Sequence, residues 1–216
     1  MKLYPLLLLI LLASACAPIA PSPTAASIAT SVLPEAATAP AATSVVPTPS
    51  TAAALNVDIL ANLVAPTCEN GPTPPNQEGP YYLPNTPERY SLLEDGMVGE
   101  RLIVAGFVVD KNCLPIFRAR LDFWQADANG EYDLDGYTLR GHQFTDNKGR
   151  YYLETILPGL YESRPIEHIH VKVQSPDGKI LTTQLYFPGQ PVDGLTVSLT
   201  EQDGYWLAIF NFILDQ

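Results

Sequence analysis

His168 and His170 stand two residues apart in the run His-Ile-His-Val-Lys-Val. The run alternates and is rich in β-branched residues, so it reads as a strand with Ile169, Val171 and Val173 on one face. Residues i and i+2 of a strand point the same way, so both imidazoles project from the opposite face, close enough to chelate one ion. Two tyrosines follow glycine turns: Tyr132 after Asn129-Gly130, and Tyr161 after Pro158-Gly159. Imidazole alone does not discriminate among first-row metals. Phenolate is a hard anionic oxygen donor and suits Fe(III) better than zinc. A lone His-x-His is more often a surface or packing feature, and tyrosines in sheets are usually half-buried packing residues. The four residues together, in this order, are what point to a metal centre.

The elements that must carry these side chains are strands. From residue 101 onward, apolar or alternating runs at 101–110, 120–126, 143–145, 151–156, 168–174, 180–187, 195–199 and 205–214 are separated by turn clusters. Asp127-Ala128-Asn129-Gly130, Asp146-Asn147-Lys148-Gly149 and Pro176-Asp177-Gly178 are among those clusters. Short strands at this spacing predict an all-β, antiparallel β-sandwich with irregular loops and little helix. Residues 56–65 could add a short helix. Residues 66–90 are rich in Pro, Gly and Asn. A stretch this long without regular structure is expected to be packed and functional.

The N-terminal part reads differently. Residues 1–15 carry one positive charge and then an apolar run that is too short to span a bilayer and ends in small residues, the pattern of an export signal. Cys16 follows in Leu-Ala-Ser-Ala-Cys, which resembles a bacterial lipidation site, although Ala13 stands where Leu is commonest. The other reading is simple cleavage at Ala-Ser-Ala. Residues 16–55 are mostly Ala, Pro, Ser and Thr, with Glu35 the single charge, and cannot bury enough apolar surface to order themselves. They read as a tether that holds the domain at 56–216 away from a membrane. About 160 residues suffice for one core. The formal net charge of −11 comes with no basic stripe, which excludes nucleic acid as a partner. Cys68 and Cys113 read as a disulfide in an exported chain, against the alternative of two buried thiols.

The stretches Leu121-Asp-Phe-Trp-Gln-Ala-Asp-Ala-Asn-Gly-Glu-Tyr132, Leu139-Arg-Gly-His-Gln-Phe-Thr-Asp-Asn-Lys-Gly-Arg-Tyr151, His168-Ile-His170 and Thr183-Gln-Leu-Tyr-Phe-Pro-Gly189 are recognisable together. They resemble the intradiol ring-cleavage dioxygenases, a family that includes protocatechuate 3,4-dioxygenase and catechol 1,2-dioxygenase. The chain is nearer the exported, single-domain members. The resemblance implies one non-haem Fe(III) per domain, held by Tyr132, Tyr161, His168 and His170. It implies an oxidoreductase that puts both atoms of O2 into a catechol-type diol and opens the ring between the two hydroxyl-bearing carbons. By the same resemblance Tyr161 doubles as a general base, Arg164 lies near the substrate, Gln184 supports the ligands from the neighbouring strand, and Pro80 and Tyr81 approach the pocket.

Some features depart from that pattern. Three residues, Pro-Ile-Glu, separate Arg164 from His168 where two are usual. A bulge could absorb the extra residue, or Arg164 could be shifted out of reach. Glu167 is a candidate partner for a ligand imidazole N–H, against a solvent-facing carboxylate. His142 reads as a non-ligand and Trp124 as core. Two other functions fit the same residues: a non-catalytic binding module of this fold, or zinc or copper at the same ligands. The expected partners are a catechol-type small molecule, O2 and a membrane through the lipid anchor. A homo-oligomer stays open.

Overall fold

The computed structural model describes residues 51–161 and 164–216. The export signal, Cys16 and residues 17–50 of the tether lie outside them. Among the described residues one helix, α1 (Thr51–Asn62), precedes nine strands: β1 (Arg101–Asp110), β2 (Arg120–Trp124), β3 (Arg140–Phe144), β4 (Arg150–Ile156), β5 (His168–Gln174), β6 (Ile180–Tyr186), β7 (Ser198–Gln202), β8 (Tyr205–Ile209) and β9 (Phe212–Leu214). The helix starts five residues before the stretch expected from sequence, and β3 begins at Arg140 rather than at Gln143.

The strands form a sandwich of two sheets. One has the order β4-β1-β8-β7, with β9 also on β1, and the other has the order β3-β2-β5-β6. The second sheet is antiparallel throughout. The first is mixed, because β1 pairs in parallel with both β8 and β9. Strands β8 and β9 take successive halves of β1, and Asn211 between them accepts from the Phe107 amide at 3.0 Å. The single run expected over 205–214 is therefore two short strands.

Each strand's alternation says which face it buries. On β1, Leu102, Val104 and Val108 enter the core between the sheets. Ile103 and Ala105 lie on the other face with Tyr152 and Ile59 of α1. A strand covered on both faces reads as a continuous apolar run, as this one does. On β2 and β5, Leu121, Phe123, Ile169, Val171 and Val173 enter the same central core. Asp122, Trp124, His168 and His170 must then lie on the outer face of the second sheet, yet all four are buried. Their cover is the irregular segment at 76–92. It is pinned to the sheets by Asn76 N–H on the Thr182 carbonyl at 2.9 Å, by bridges Glu88–His142 and Ser91–Glu154, and by Thr86 Oγ1 on the Asp122 carboxylate at 2.6 Å. Tyr82 and Arg120 complete the shell around that carboxylate, at 3.1 and 2.9 Å. A disulfide joins Cys68 to Cys113, with the Cα atoms 5.7 Å apart, and ties the segment leading into the domain to the turn after β1.

Candidate metal centre

His168 and His170 open β5 and share its outer face, so their Nε2 atoms converge to 3.1 Å. His168 Nδ1 is hydrogen-bonded to the Ile166 carbonyl at 2.6 Å, which presents Nε2 to the site. That partner is a backbone carbonyl and not Glu167, whose side chain lines a small cleft with Leu160, Phe187, Gly189 and Gln190. His170 is held by another means. Trp124 is its register partner on β2, and the indole stacks on the imidazole at 4.9 Å with planes 8° apart. Nδ1 of His170 is buried and lacks a hydrogen bond of normal geometry. Burial pushes the His168 imidazole down to about 4. Burial, and then the neighbouring His168, push His170 lower still. Both rings are therefore neutral at physiological pH, the state in which imidazole offers a lone pair to a metal.

Tyr132 and Tyr161 arrive on turns. Tyr132 follows the turn after β2, and Tyr161 follows the turn after β4. Two glycines let these turns touch backbone to backbone. A Cβ on Gly159 would sit 2.4 Å from the Ala128 carbonyl oxygen, and one on Gly130, at φ 83°, 2.1 Å from the Leu160 carbonyl oxygen. The Gly159 N–H bonds the Asp127 carbonyl at 2.8 Å across the same contact. The phenol rings of Tyr132 and Tyr161 consequently meet edge to face, with centroids 5.9 Å apart. Tyr132 Oη lies 3.5 Å from His168 Nε2, and the Tyr161 ring centroid lies 5.9 Å from that of His168. Burial, followed by the adjacent Tyr161, holds the Tyr132 phenol well above its ordinary value.

Three donor atoms, two imidazole nitrogens and one phenol oxygen, thus converge in a buried spot, with a second phenol beside them. Two neutral Nε2 atoms at 3.1 Å can satisfy each other only in part, and a cation between them would satisfy both. This is an N2O2 set of borderline and hard donors, which fits ferric iron. Ionising the half-buried Tyr132 is costly without a cation, so the same desolvation that raises the free phenol favours a site in which a metal compensates the charge.

The supporting residues form a connected network. Arg164 is bridged to Tyr161 through the backbone, and its guanidinium donates to Tyr186 Oη at 2.7 Å. Tyr186 Oη donates to Gln184 Oε1 at 2.8 Å. The Gln184 amide, opposite His170 in the β5–β6 register, donates to the Gln77 carbonyl. Arg164 thus faces the site despite the extra residue before His168. Tyr81 stacks on Tyr132 with centroids 4.3 Å apart. Pro80 beside it is exposed. His142 is drawn away by the Thr86 carbonyl at 2.8 Å. Trp124 is buried, as expected of a core residue, but it packs on a site histidine. Tyr186 is a site residue that sequence reasoning did not single out, and Trp124 was read only as core. Once β2, β5 and β6 are known to be neighbours, register alone identifies Trp124; nothing in the sequence reports that neighbourhood.

A protein-family model described as Dioxygenase matches residues 77–201, more than half of the chain. The chain belongs to the intradiol ring-cleavage dioxygenase family. Among similar family members, catechol 1,2-dioxygenase of Acinetobacter baylyi is 30% identical over 148 residues, covering 55% of this chain and 47% of that protein. The protocatechuate 3,4-dioxygenase beta chain of Burkholderia cepacia is 37% identical over 113 residues, covering 44% and 48%. The chain spans about half the length of the curated relatives it matches. Among solved structures, the dioxygenase domain of a dioxygenase–carbohydrate-binding protein fusion from Streptomyces sp. SirexAA-E is 44% identical, with a TM-score of 0.65, covering 67% of this chain and 99% of that one. The 3-chlorocatechol 1,2-dioxygenase of Rhodococcus opacus is 29% identical, with a TM-score of 0.62, covering 74% and 77%.

Proposed function

We propose that this chain is an Fe(III)-dependent dioxygenase that cleaves a catechol-type diol between its two hydroxyl-bearing carbons. The observation that carries the reading is the convergence of His168 Nε2, His170 Nε2 and Tyr132 Oη, with Tyr161 alongside, in a member of this family. In the proposal these four side chains hold one iron ion. Bound there, ferric iron would chelate the diol and draw electron density from its ring, so that the ring carbon can react with O2.

The chain's own residues account for the remaining work. Tyr161 Oη is the base that accepts a diol proton on binding. Arg164 is permanently cationic and is held by Tyr186, which suits it to stabilise negative charge developing on the ring. Gln184 and Tyr186 fix that guanidinium. Trp124 and Tyr81 wall the site with aromatic faces and limit water access. Both oxygen atoms of O2 enter the product, and the broken carbon–carbon bond leaves a muconate-type diacid. The export signal and Cys16 support placement outside the cytoplasm on a lipid anchor, with residues 17–50 as spacer.

The test is a visible absorption spectrum of the purified full chain, before and after catechol is added without oxygen. Tyrosinate-to-Fe(III) charge transfer gives a red-brown protein whose band moves to longer wavelength with catechol, and Tyr132→Phe removes most of the colour. A colourless wild type carrying stoichiometric zinc overturns the reading. A coloured protein that takes up no oxygen with any catechol points to the non-catalytic module instead.

A further inference from the structure

Arg140 opens β3 with 1% of its surface exposed. It makes no salt bridge among the described residues, although an arginine this buried is ordinarily paired. Its guanidinium instead reaches two backbone carbonyls. Nη1 donates to Tyr81 at 2.5 Å, and Nη2 donates to Asp133 at 2.7 Å. Tyr81 belongs to the segment that covers the site, and Asp133 directly follows Tyr132. Arg140 therefore ties the two chain segments whose rings, Tyr81 and Tyr132, stack at 4.3 Å. The guanidinium carbon lies 6.0 Å from the Tyr132 ring centroid, and Nε is buried without a partner.

We infer that Arg140 is a positioning residue for Tyr132: it clamps the Tyr132 turn to the covering segment and sets a fixed positive charge beside the phenol ring. The inference rests on the reading that Tyr132 is an iron ligand. The two carbonyl bonds explain a forked donor at this place, because a single-point donor reaches only one of them. A phenolate at Tyr132, whose ring centroid lies 6.0 Å from the guanidinium carbon, would be stabilised by this charge, and a neutral residue in place of Arg140 would remove that stabilisation. Arg164 brings a second positive charge to the site but bonds Tyr186, and of the two only Arg140 bridges the Tyr81 and Asp133 carbonyls.

The experiment compares the full-length wild type with Arg140→Met and Arg140→Lys, each loaded with iron. Three quantities are read: the charge-transfer band, the rate of iron release to a chelator, and the melting temperature of the iron-free chain. Arg140→Met should move the band and speed iron release about 10- to 100-fold, the effect typical of losing a group that orients a metal ligand. Arg140→Lys retains the charge but loses the fork. It should keep the band near its wild-type position while releasing iron at an intermediate rate. If Arg140→Met does not fold, Arg140→Lys carries the test, and a wild-type release rate there overturns the inference. A variant that melts early but keeps the wild-type band and release rate makes Arg140 a structural residue only, and also overturns it. A wild type that takes up no iron removes the functional reading and this inference together; a coloured wild type with unchanged variants removes the inference alone.

Discussion

The two halves of the candidate site are built in different ways. His168 and His170 ride on β5, which has hydrogen-bonded neighbours on both sides and the central core beneath it. Tyr132 and Tyr161 ride on two turns that touch only because Gly130 and Gly159 carry no side chain. On the strand, spacing in sequence becomes spacing in space through the pleat. On the turns, position depends on a contact between segments that lie apart in the chain. The strand half should tolerate changes around it and fail only when a ligand goes. The turn half should fail through changes that leave every ligand in place.

The largest effect should come from the strand half itself. His170→Ala removes a converging nitrogen, and iron analysis should find the metal lost and oxygen uptake at background. Next is the turn half. Gly159→Ala places a methyl 2.4 Å from the Ala128 oxygen, so the turns must part by about 1 Å. A shift of that size costs on the order of 100-fold in turnover. Oxygen-uptake kinetics at saturating catechol would register it, and an activity within a few-fold of wild type would break the distinction between the halves.

A change remote from both halves serves as the control. Cys113→Ser opens a link across 45 residues, and chain entropy sets the expected loss at up to about 4 kcal/mol. Chemical denaturation should show that loss while the visible band of the folded fraction stays where it was.

The smallest effect concerns the histidines alone. In the iron-free protein His168 titrates at about 4, against an ordinary value of 6.5. As pH falls below 6.5 the unfolded chain takes up this proton first. Stability is therefore full above that point, declines between pH 6.5 and about 4, and is lower by about 3 kcal/mol at the bottom of the window for this group. Melting curves of iron-free wild type should fall across that window. The same curves for His168→Asn should be flatter there, and equal slopes would mean that the strand half does not hold its imidazoles neutral.

Much of this molecule could be read before any coordinates. The alternation in β5 told that Ile169, Val171 and Val173 share one face, because side chains on a pleated strand alternate with period two. The His-x-His followed from the same rule. The cysteine pair, with the chain read as exported, pointed to the bond at Cys68–Cys113. The motifs around Tyr132 and Tyr161 supplied the remaining donors by resemblance. Other features were illegible for identifiable reasons. Helix α1 begins inside the Ala-rich stretch assigned to the tether, where composition alone favours no boundary. The 205–214 run divides because Asn211 serves the backbone of Phe107, a contact more than a hundred residues away in sequence. Glu167 was weighed as a partner for a site imidazole against a solvent-facing carboxylate, and for His168 the Ile166 carbonyl takes that place.

By itself the sequence determined the fold class, the face of β5 that carries both imidazoles, the residue types of the donor set and the glycines before each tyrosine. These are local properties, fixed by side-chain chemistry and by the two-residue period of a strand. Tertiary structure alone decided that Trp124 stacks on His170, that Arg164 is held through Tyr186 and Gln184, and that Arg140 bridges Tyr81 and Asp133. Each joins segments brought together by strand order and turn packing, and no run of neighbouring residues encodes which strands will lie side by side.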